Sequence, residues 1–296
     1  MPHDGAVATA GTPVRLRPMP LGELLDETFK LYRRHFAVIA GVALAVVLPN
    51  LIITLISGSY RANPINYVQQ IIQNANDPAA LQAIQARQQQ FTASPLYLLS
   101  FPLALAMVPF TVGAIYYAAT ALAAGSVETV GSVLMGTLRR YFALFGVAAL
   151  TFLVGVGAVL IITIPVVIWV EVRWAVAYPA LLAERVGPVH ALGRSWALVK
   201  DNWWRTVGVI ILVSILVSII QLAIGGLLGG IAALVPGLSS DVRAGVVTVI
   251  TALVSALVGA ITPIAVTMLY LDLRVRKEGV DLDQLARQTT PGTAPA

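Results

Sequence analysis

The sequence predicts an all-α fold, a polytopic transmembrane helical bundle, and three observations carry that prediction. Charged residues make up 11% of the 296-residue chain, against about 25% in soluble domains. Stretches free of Asp, Glu, Lys and Arg run over 35–60, 88–127, 141–170, 206–240 and 244–271, and each meets or exceeds the ~20 residues that a helix needs to cross ~30 Å of hydrocarbon. The pattern also lacks the short alternating segments of an outer-membrane barrel.

Residues 1–20 are polar and rich in Pro, Gly and Ala, and are expected to form a disordered cytoplasmic N-terminus rather than a secretory signal, whose apolar core would lie nearer the start. Residues 21–278 form the expected six-span membrane domain and 279–296 a cytoplasmic tail. Hydropathy and charge gaps place spans near 36–57, 95–124, 142–164, 166–184, 206–229 and 245–271. The fourth is short, contains Glu171 and Arg173, and is either a full span or a broken, re-entrant one. With both termini inside, fifteen of the nineteen basic residues fall in inner segments, only Arg61, Arg87 and Arg243 outside, and Arg173 is embedded. That asymmetry fits the positive-inside rule.

The inner segments repeat. KLYRRHFAVIA from 30, GTLRRYFALFG from 136 and LVKDNWWRTVG from 198 bring Phe36, Phe142 and Trp204 into register. Upstream of the first, Leu21, Leu24, Leu25, Thr28, Leu31 and Tyr32 share one helical face, with Glu23, Asp26, Glu27, Lys30, Arg33 and Arg34 on the other. The expected architecture is three copies of an interfacial helix followed by a membrane hairpin. Residues 58–94 interrupt the scheme with an external polar insertion. Eight Gln and four Asn lie between Asn63 and Gln90, and Asp77-Pro78 reads as the N-cap and first position of a short helix.

Chemistry-bearing motifs are sparse. A phosphate-binding Walker loop needs Gly before Lys, but the three lysines follow Phe29, Val199 and Arg276. His3, His35 and His190 have no partner at metal-ligand spacing, and the chain has neither cysteine nor a G-x-S-x-G elbow. The expectation is a non-enzymatic protein without catalytic residues, metal or cofactor. The pI near 9.7 reflects the inner basic belt, so membrane lipids and other membrane proteins are the expected partners and nucleic acid is not. Oligomeric state is not legible.

Polar residues within spans mark two stripes. Ser214, Ser218, Gln221 and Gly225 form one, and Thr248, Thr251, Ser255, Gly259 and Thr262 the other; both are expected to face protein, as a packing interface or a shared polar cavity. Pro49, Pro102, Pro109, Pro165, Pro179 and Pro263 punctuate the spans, as structural kinks or as the interrupted helices of a transport site. Glu171 and Arg173 lie ~200° apart on a helix, so each needs another partner. If a hairpin turns near Pro165, both approach the outer surface, where pairs of Arg173 with Asp241 and of Glu171 with Arg243 compete with solvated anchoring or an ion or substrate site.

Three segments carry a family resemblance: RLRPMPLGELLDETFKLYRRHF from 15, VRWAVAYPALLAERVGPVHALGRSWALVKDNWWRTVG from 172 and PIAVTMLYLDLRVRKEGVDLD from 263. They resemble the bacterial integral membrane family described as the membrane domain of glycerophosphoryl diester phosphodiesterase. The motif positions are Arg173, Pro179, Glu184, Arg194, Ser195, Trp196, Tyr270, Asp272 and Arg274. In the proteins that give the family its name a soluble phosphodiesterase domain follows, and this sequence has no such domain, so the resemblance implies a bacterial plasma-membrane module of unresolved function, the membrane part alone, and no activity. A module that binds lipids or partner membrane proteins is the leading expectation, a transporter or permease subunit the alternative, and a membrane-embedded phosphodiesterase the third.

The topology is checked by single cysteines, which the chain accepts without background. In intact, wall-stripped cells an impermeant thiol reagent is expected to label Gln82→Cys and not Ser132→Cys. Labelling of Ser132→Cys contradicts the orientation.

Overall fold

The computed structural model describes residues 17–62, 71–72, 74–157, 163–237 and 240–279, with the side chains of 61–62, 232–234 and 240–241 outside that description. Among the described residues the regular structure is helical and no strand occurs. In chain order the helices are α1 (Leu21–Arg34), α2 (Phe36–Ser57), α3 (Pro78–Thr92), α4 (Pro95–Ala123), α5 (Val130–Arg139), α6 (Tyr141–Val156), α7 (Ile164–Trp174), α8 (Ala177–Glu184), α9 (Pro188–Val199), α10 (Trp203–Leu234), α11 (Ser240–Gly259) and α12 (Ile261–Glu278).

Local chemistry sets most of these boundaries. Asp77 accepts hydrogen bonds from the amides of Ala79 (3.0 Å) and Ala80 (3.1 Å), and Pro78 opens α3, as expected from the sequence. No residue of α3 is buried, so this helix of the insertion stands clear of the core. Ser94 caps α4 ahead of Pro95, and Thr129 with Ser132 forms a capping box at α5. Glycines in the left-handed conformation follow α2 and α12, at Gly58 (φ 68°) and Gly279 (φ 61°).

Three times an amphipathic helix is followed by an apolar one: α1 by α2, α5 by α6, and α9 by α10. The junction residue is His35 in the first pair and Arg140 in the second, where the two axes bend by 67°. On α1, Leu24, Thr28 and Leu31 are buried, in agreement with the face read from the sequence. Phe36, Phe142 and Trp204 are 49%, 86% and 80% exposed, so the residues aligned by the repeat lie on the outside of the bundle.

Five segments are long and apolar enough to cross a membrane: Phe36–Ser57, Pro95–Ala123, Ile164–Glu184, Trp203–Ile231 and Val242–Glu278. A sixth crossing is available if the bent pair of α5 and α6 counts as one span. The expected span at 142–164 corresponds to α6, and 158–162 lie outside the described residues. The expected fourth span is broken into α7 and α8 at Ala175–Val176. The chain is thus a polytopic helical bundle and a multi-pass membrane protein.

Packing is concentrated at the end that carries α1, α5 and α9, called the charged end below. α4 and α12 lie at the centre: α4 packs on α2, α5, α6, α8 and α12, and α12 on α1, α4, α9, α10 and α11. Ile264, Met268, Leu269, Tyr270 and Leu273 of α12 are fully buried, with Leu24, Leu144, Leu181 and Leu198 from four other helices. Towards the opposite end α10 exposes Ile215, Ile219, Leu222 and Leu227, an apolar surface of the kind that lipid covers.

Candidate functional site

The charged end of α12 sorts its ionisable side chains onto two faces. Tyr270, Arg274 and Glu278 follow at i, i+4 and i+8 and share one face, while Asp272 and Arg276, also i and i+4, are turned away from it. Each face meets a different neighbour.

On the first, Glu184 at the end of α8 receives both of its carboxylate contacts from Arg194 Nε, at 2.8 and 2.9 Å, and a third hydrogen bond from the Tyr270 hydroxyl at 2.9 Å. Arg194 of α9 also donates to Glu278, and Arg274 donates to Glu278 at 3.1 Å and to the Tyr270 hydroxyl at 3.4 Å. Burial alone would lower the Arg194 pKa, but the hydrogen bonds to Glu184 and Glu278 outweigh it and hold the guanidinium above its ordinary value. Two acids and two bases thus tie α8, α9 and α12 together. Nearby, Lys277 donates to the Ala197 carbonyl (2.7 Å) and to Asp201 (2.8 Å), which holds the exposed Asp201 carboxyl below its usual range.

On the second face the Asp272 carboxylate is fully buried. It accepts from the Met19 amide (2.7 Å), from Arg205 Nε (2.9 Å) and from Arg276 Nε (3.0 Å). Arg205 and Arg276 both donate in addition to the Met19 carbonyl. The segment before α1 is thereby clasped between α10 and α12, with Met19 itself buried. A buried carboxylate is tolerated only when paired and hydrogen-bonded, and here its lone pairs are used.

Ser195 acts differently. Its fully buried hydroxyl donates to the Arg173 carbonyl (2.7 Å) and accepts from the Val176 amide (3.2 Å), across the break between α7 and α8. Pro179, buried in the first turn of α8, lacks an N–H where an amide would be unpaired, so it suits a helix that starts afresh at Ala177. The pair explains the broken span: Pro179 favours a restart and Ser195 satisfies backbone groups that the break frees.

Arg173 corrects one expectation. Its guanidinium lies between Trp169 and Trp196, 4.4 and 4.6 Å from the ring centroids, and those rings meet edge to face at 5.1 Å. It is therefore held beside α9 at the charged end and not by a partner at the opposite end. Arg243 donates instead to the Val235 carbonyl at 3.4 Å, and among the described residues Glu171 and Arg243 do not pair; the expected partner Asp241 has its side chain outside the described residues. Glu171 lies near Tyr178. Cation–π attraction to two indoles, worth about 0.5 to 2 kcal/mol each, holds the guanidinium there, while its buried Nε has no hydrogen-bond partner among the described residues.

The polar stripes also divide. Gln221 faces Gly259, Gly225 faces Thr251 and Gly229 faces Val247, which places these three at the contact of α10 with α11. Ser214, Ser218, Thr251 and Ser255 are exposed, and the Thr251 hydroxyl bonds its own helix at Val247 (2.8 Å) and Thr248 (3.1 Å). The buried line of α10 runs Val209, Val213, Val217, so Ser214 and Ser218 stand one residue, or ~100°, off it. Within the single chain these two serines therefore lie off the contact with α11 and α12.

Of the motif positions, Glu184, Arg194, Tyr270 and Arg274 belong to one cluster and Asp272 to the next, with Pro179, Ser195 and Trp196 at the α7–α8 break. Arg205, Arg276, Lys277, Glu278 and the Met19 backbone were missed. The i, i+4 spacing of Asp272 with Arg276 and of Arg274 with Glu278 was the available signal.

Ser195→Ala is expected to lower stability in detergent by about 2 kcal/mol, because it orphans a buried amide and carbonyl. Thermal unfolding, with hydrogen exchange of the Val176 amide, checks it. Unchanged melting and exchange would mean that the hydroxyl is not needed at the break.

Nothing among curated proteins and nothing among solved structures matches the chain. One family model does match, over residues 147–290, and it takes in the central and closing motifs but not the opening segment from 15 to 36. Over residues 147–290 the chain thus matches the family described as the membrane domain of glycerophosphoryl diester phosphodiesterase.

Proposed function

We propose that the protein is a non-enzymatic plasma-membrane module of a bacterial cell whose charged end faces the cytoplasm and binds anionic lipids, with partner membrane proteins as further candidates. One observation carries this reading: Phe36, Phe142 and Trp204, strongly exposed, open the three apolar helices directly beside Arg33 and Arg34, Arg139 and Arg140, and Lys200 and Arg205. Aromatic rings at the level of a basic belt suit the headgroup zone, where each Arg or Lys adds about 1 kcal/mol of attraction to an anionic surface. The ion-pair clusters support the same reading, since they tie α9 and the segment before α1 to α12 and leave Glu184, Asp272 and Glu278 occupied by bases. Glu184, Asp272 and Glu278 serve as structural pairs in this account.

Mass spectrometry of lipids and proteins retained after mild extraction from native membranes tests it. The expected result is enrichment of anionic over zwitterionic lipid relative to the bulk membrane. Retained lipid of bulk composition would contradict lipid binding, and solute uptake by reconstituted vesicles would favour the transporter alternative.

A further inference from the structure

At the charged end Arg139, Arg140 and Arg185 converge on one space, and no acid among the described residues lines it. A cavity of about 690 Å³ opens between α4, α5, α6 and the loop that joins α8 to α9, lined by Arg139, Arg140 and Arg185 with Tyr117, Gly136 and Phe142. Elsewhere at this end Arg194, Arg205, Arg274 and Arg276 each have a carboxylate. Among the described residues no carboxylate pairs with Arg139, Arg140 or Arg185; Arg140 reaches only the Leu181 carbonyl, at 3.5 Å. Like charges gathered about one space repel, and an anion in that space relieves them.

The fold brings them there by close approaches. A Cβ on Gly146 would fall 2.8 Å from Pro188, so glycine at this position lets the α8–α9 loop, and Arg185 with it, settle against α6. A Cβ on Gly136 would fall 2.4 Å from the Tyr117 ring, so that ring lies directly under α5 on the cavity wall. Among the described residues the Tyr117 hydroxyl has no hydrogen-bond partner. Arg185 is also the single described non-glycine residue with a left-handed backbone, φ 55° and ψ 39°, a strained conformation that the surroundings hold in place.

We infer that this cavity is a binding site for the phosphate-bearing headgroup of an anionic lipid. Guanidinium groups suit phosphate oxygens through paired N–H donors, and the Tyr117 hydroxyl adds a neutral donor. The cavity volume suits a headgroup. Phe142 at its rim and Phe145 and Phe152 further along α6, all exposed, offer an apolar track for the acyl chains. A soluble phosphate has no use for that track, which is why lipid is the favoured source. The inference rests on the reading of the charged end as a lipid-binding face and goes beyond it by naming the place and the groups.

The test is native mass spectrometry of delipidated, full-length protein in detergent, titrated with phosphatidylglycerol or phosphatidylcholine. Arg139→Gln with Arg185→Gln removes two exposed cavity charges, and Arg33→Gln with Lys200→Gln removes two exposed charges elsewhere on the same end. At about fivefold per arginine, the cavity pair is expected to weaken phosphatidylglycerol binding roughly 30-fold, and the distant pair less than about fivefold. Equal losses in the two variants would overturn the site while leaving anionic lipid binding intact. No preference of the unaltered protein for phosphatidylglycerol over phosphatidylcholine would overturn both. Displacement of the lipid by equimolar inorganic phosphate would make the cavity a soluble-phosphate site and overturn the lipid assignment.

Discussion

A carboxylate sealed from water next to a membrane must be matched from every side, and Asp272 sets the terms for the rest of this fold. Its partners come from three places far apart in the sequence: the Met19 amide before α1, Arg205 at the start of α10, and Arg276 one turn along α12. Each must be in position for the charge to be buried, so the N-terminal segment, the third surface-helix unit and the last helix have one arrangement that satisfies it. In lipid the hydrophobic effect does little to choose between helix arrangements, and polar contacts of this kind supply much of the specificity. The neighbouring cluster of Glu184, Arg194, Arg274 and Glu278 repeats the device on the opposite face of α12.

Features set by composition or by local spacing were legible before the structure. The span that begins at Phe36 and ends at Ser57 follows from the uncharged run 35–60, inside which His35 and Gly58 cap the helix, and α3 from an Asp-Pro pair. The weakness of the fourth span was visible in Glu171, Arg173 and Pro179, and the break at Ala175–Val176 falls among them. Other features depended on rotation about a helix axis or on contacts between distant segments. Ser214 and Val213 are neighbours in sequence, and only packing decides which of them faces α11 or α12. The Arg173 surroundings were not legible, because pairing with Asp241, solvated anchoring and a ligand site were weighed but two indoles from separate helices were not.

The candidate site shows the same division. Its residues were named through the family resemblance, but their grouping was hidden, because Ser195 and Trp196 are adjacent in sequence and yet serve two tasks: the first completes the backbone at a helix break, the second covers Arg173. What the sequence did carry was charge spacing on α12, where two opposite-charge pairs at i and i+4 sit on opposite faces. Such pairs on an exposed helix contribute little. Here they are built into clusters that join α12 to α8, α9 and α10, and rigidity at this end is what allows unpaired arginines to be held beside one another at the α5–α6 bend.

The central claim is that the buried Asp272 and Arg205 act as one unit that locks α12 to α10. A double-mutant cycle with Asp272→Asn and Arg205→Gln, read by thermal unfolding in detergent, measures it directly. The account predicts coupling, with the double variant losing at least ~1 kcal/mol less than the two single losses combined. Losses that add to within ~0.5 kcal/mol would contradict it.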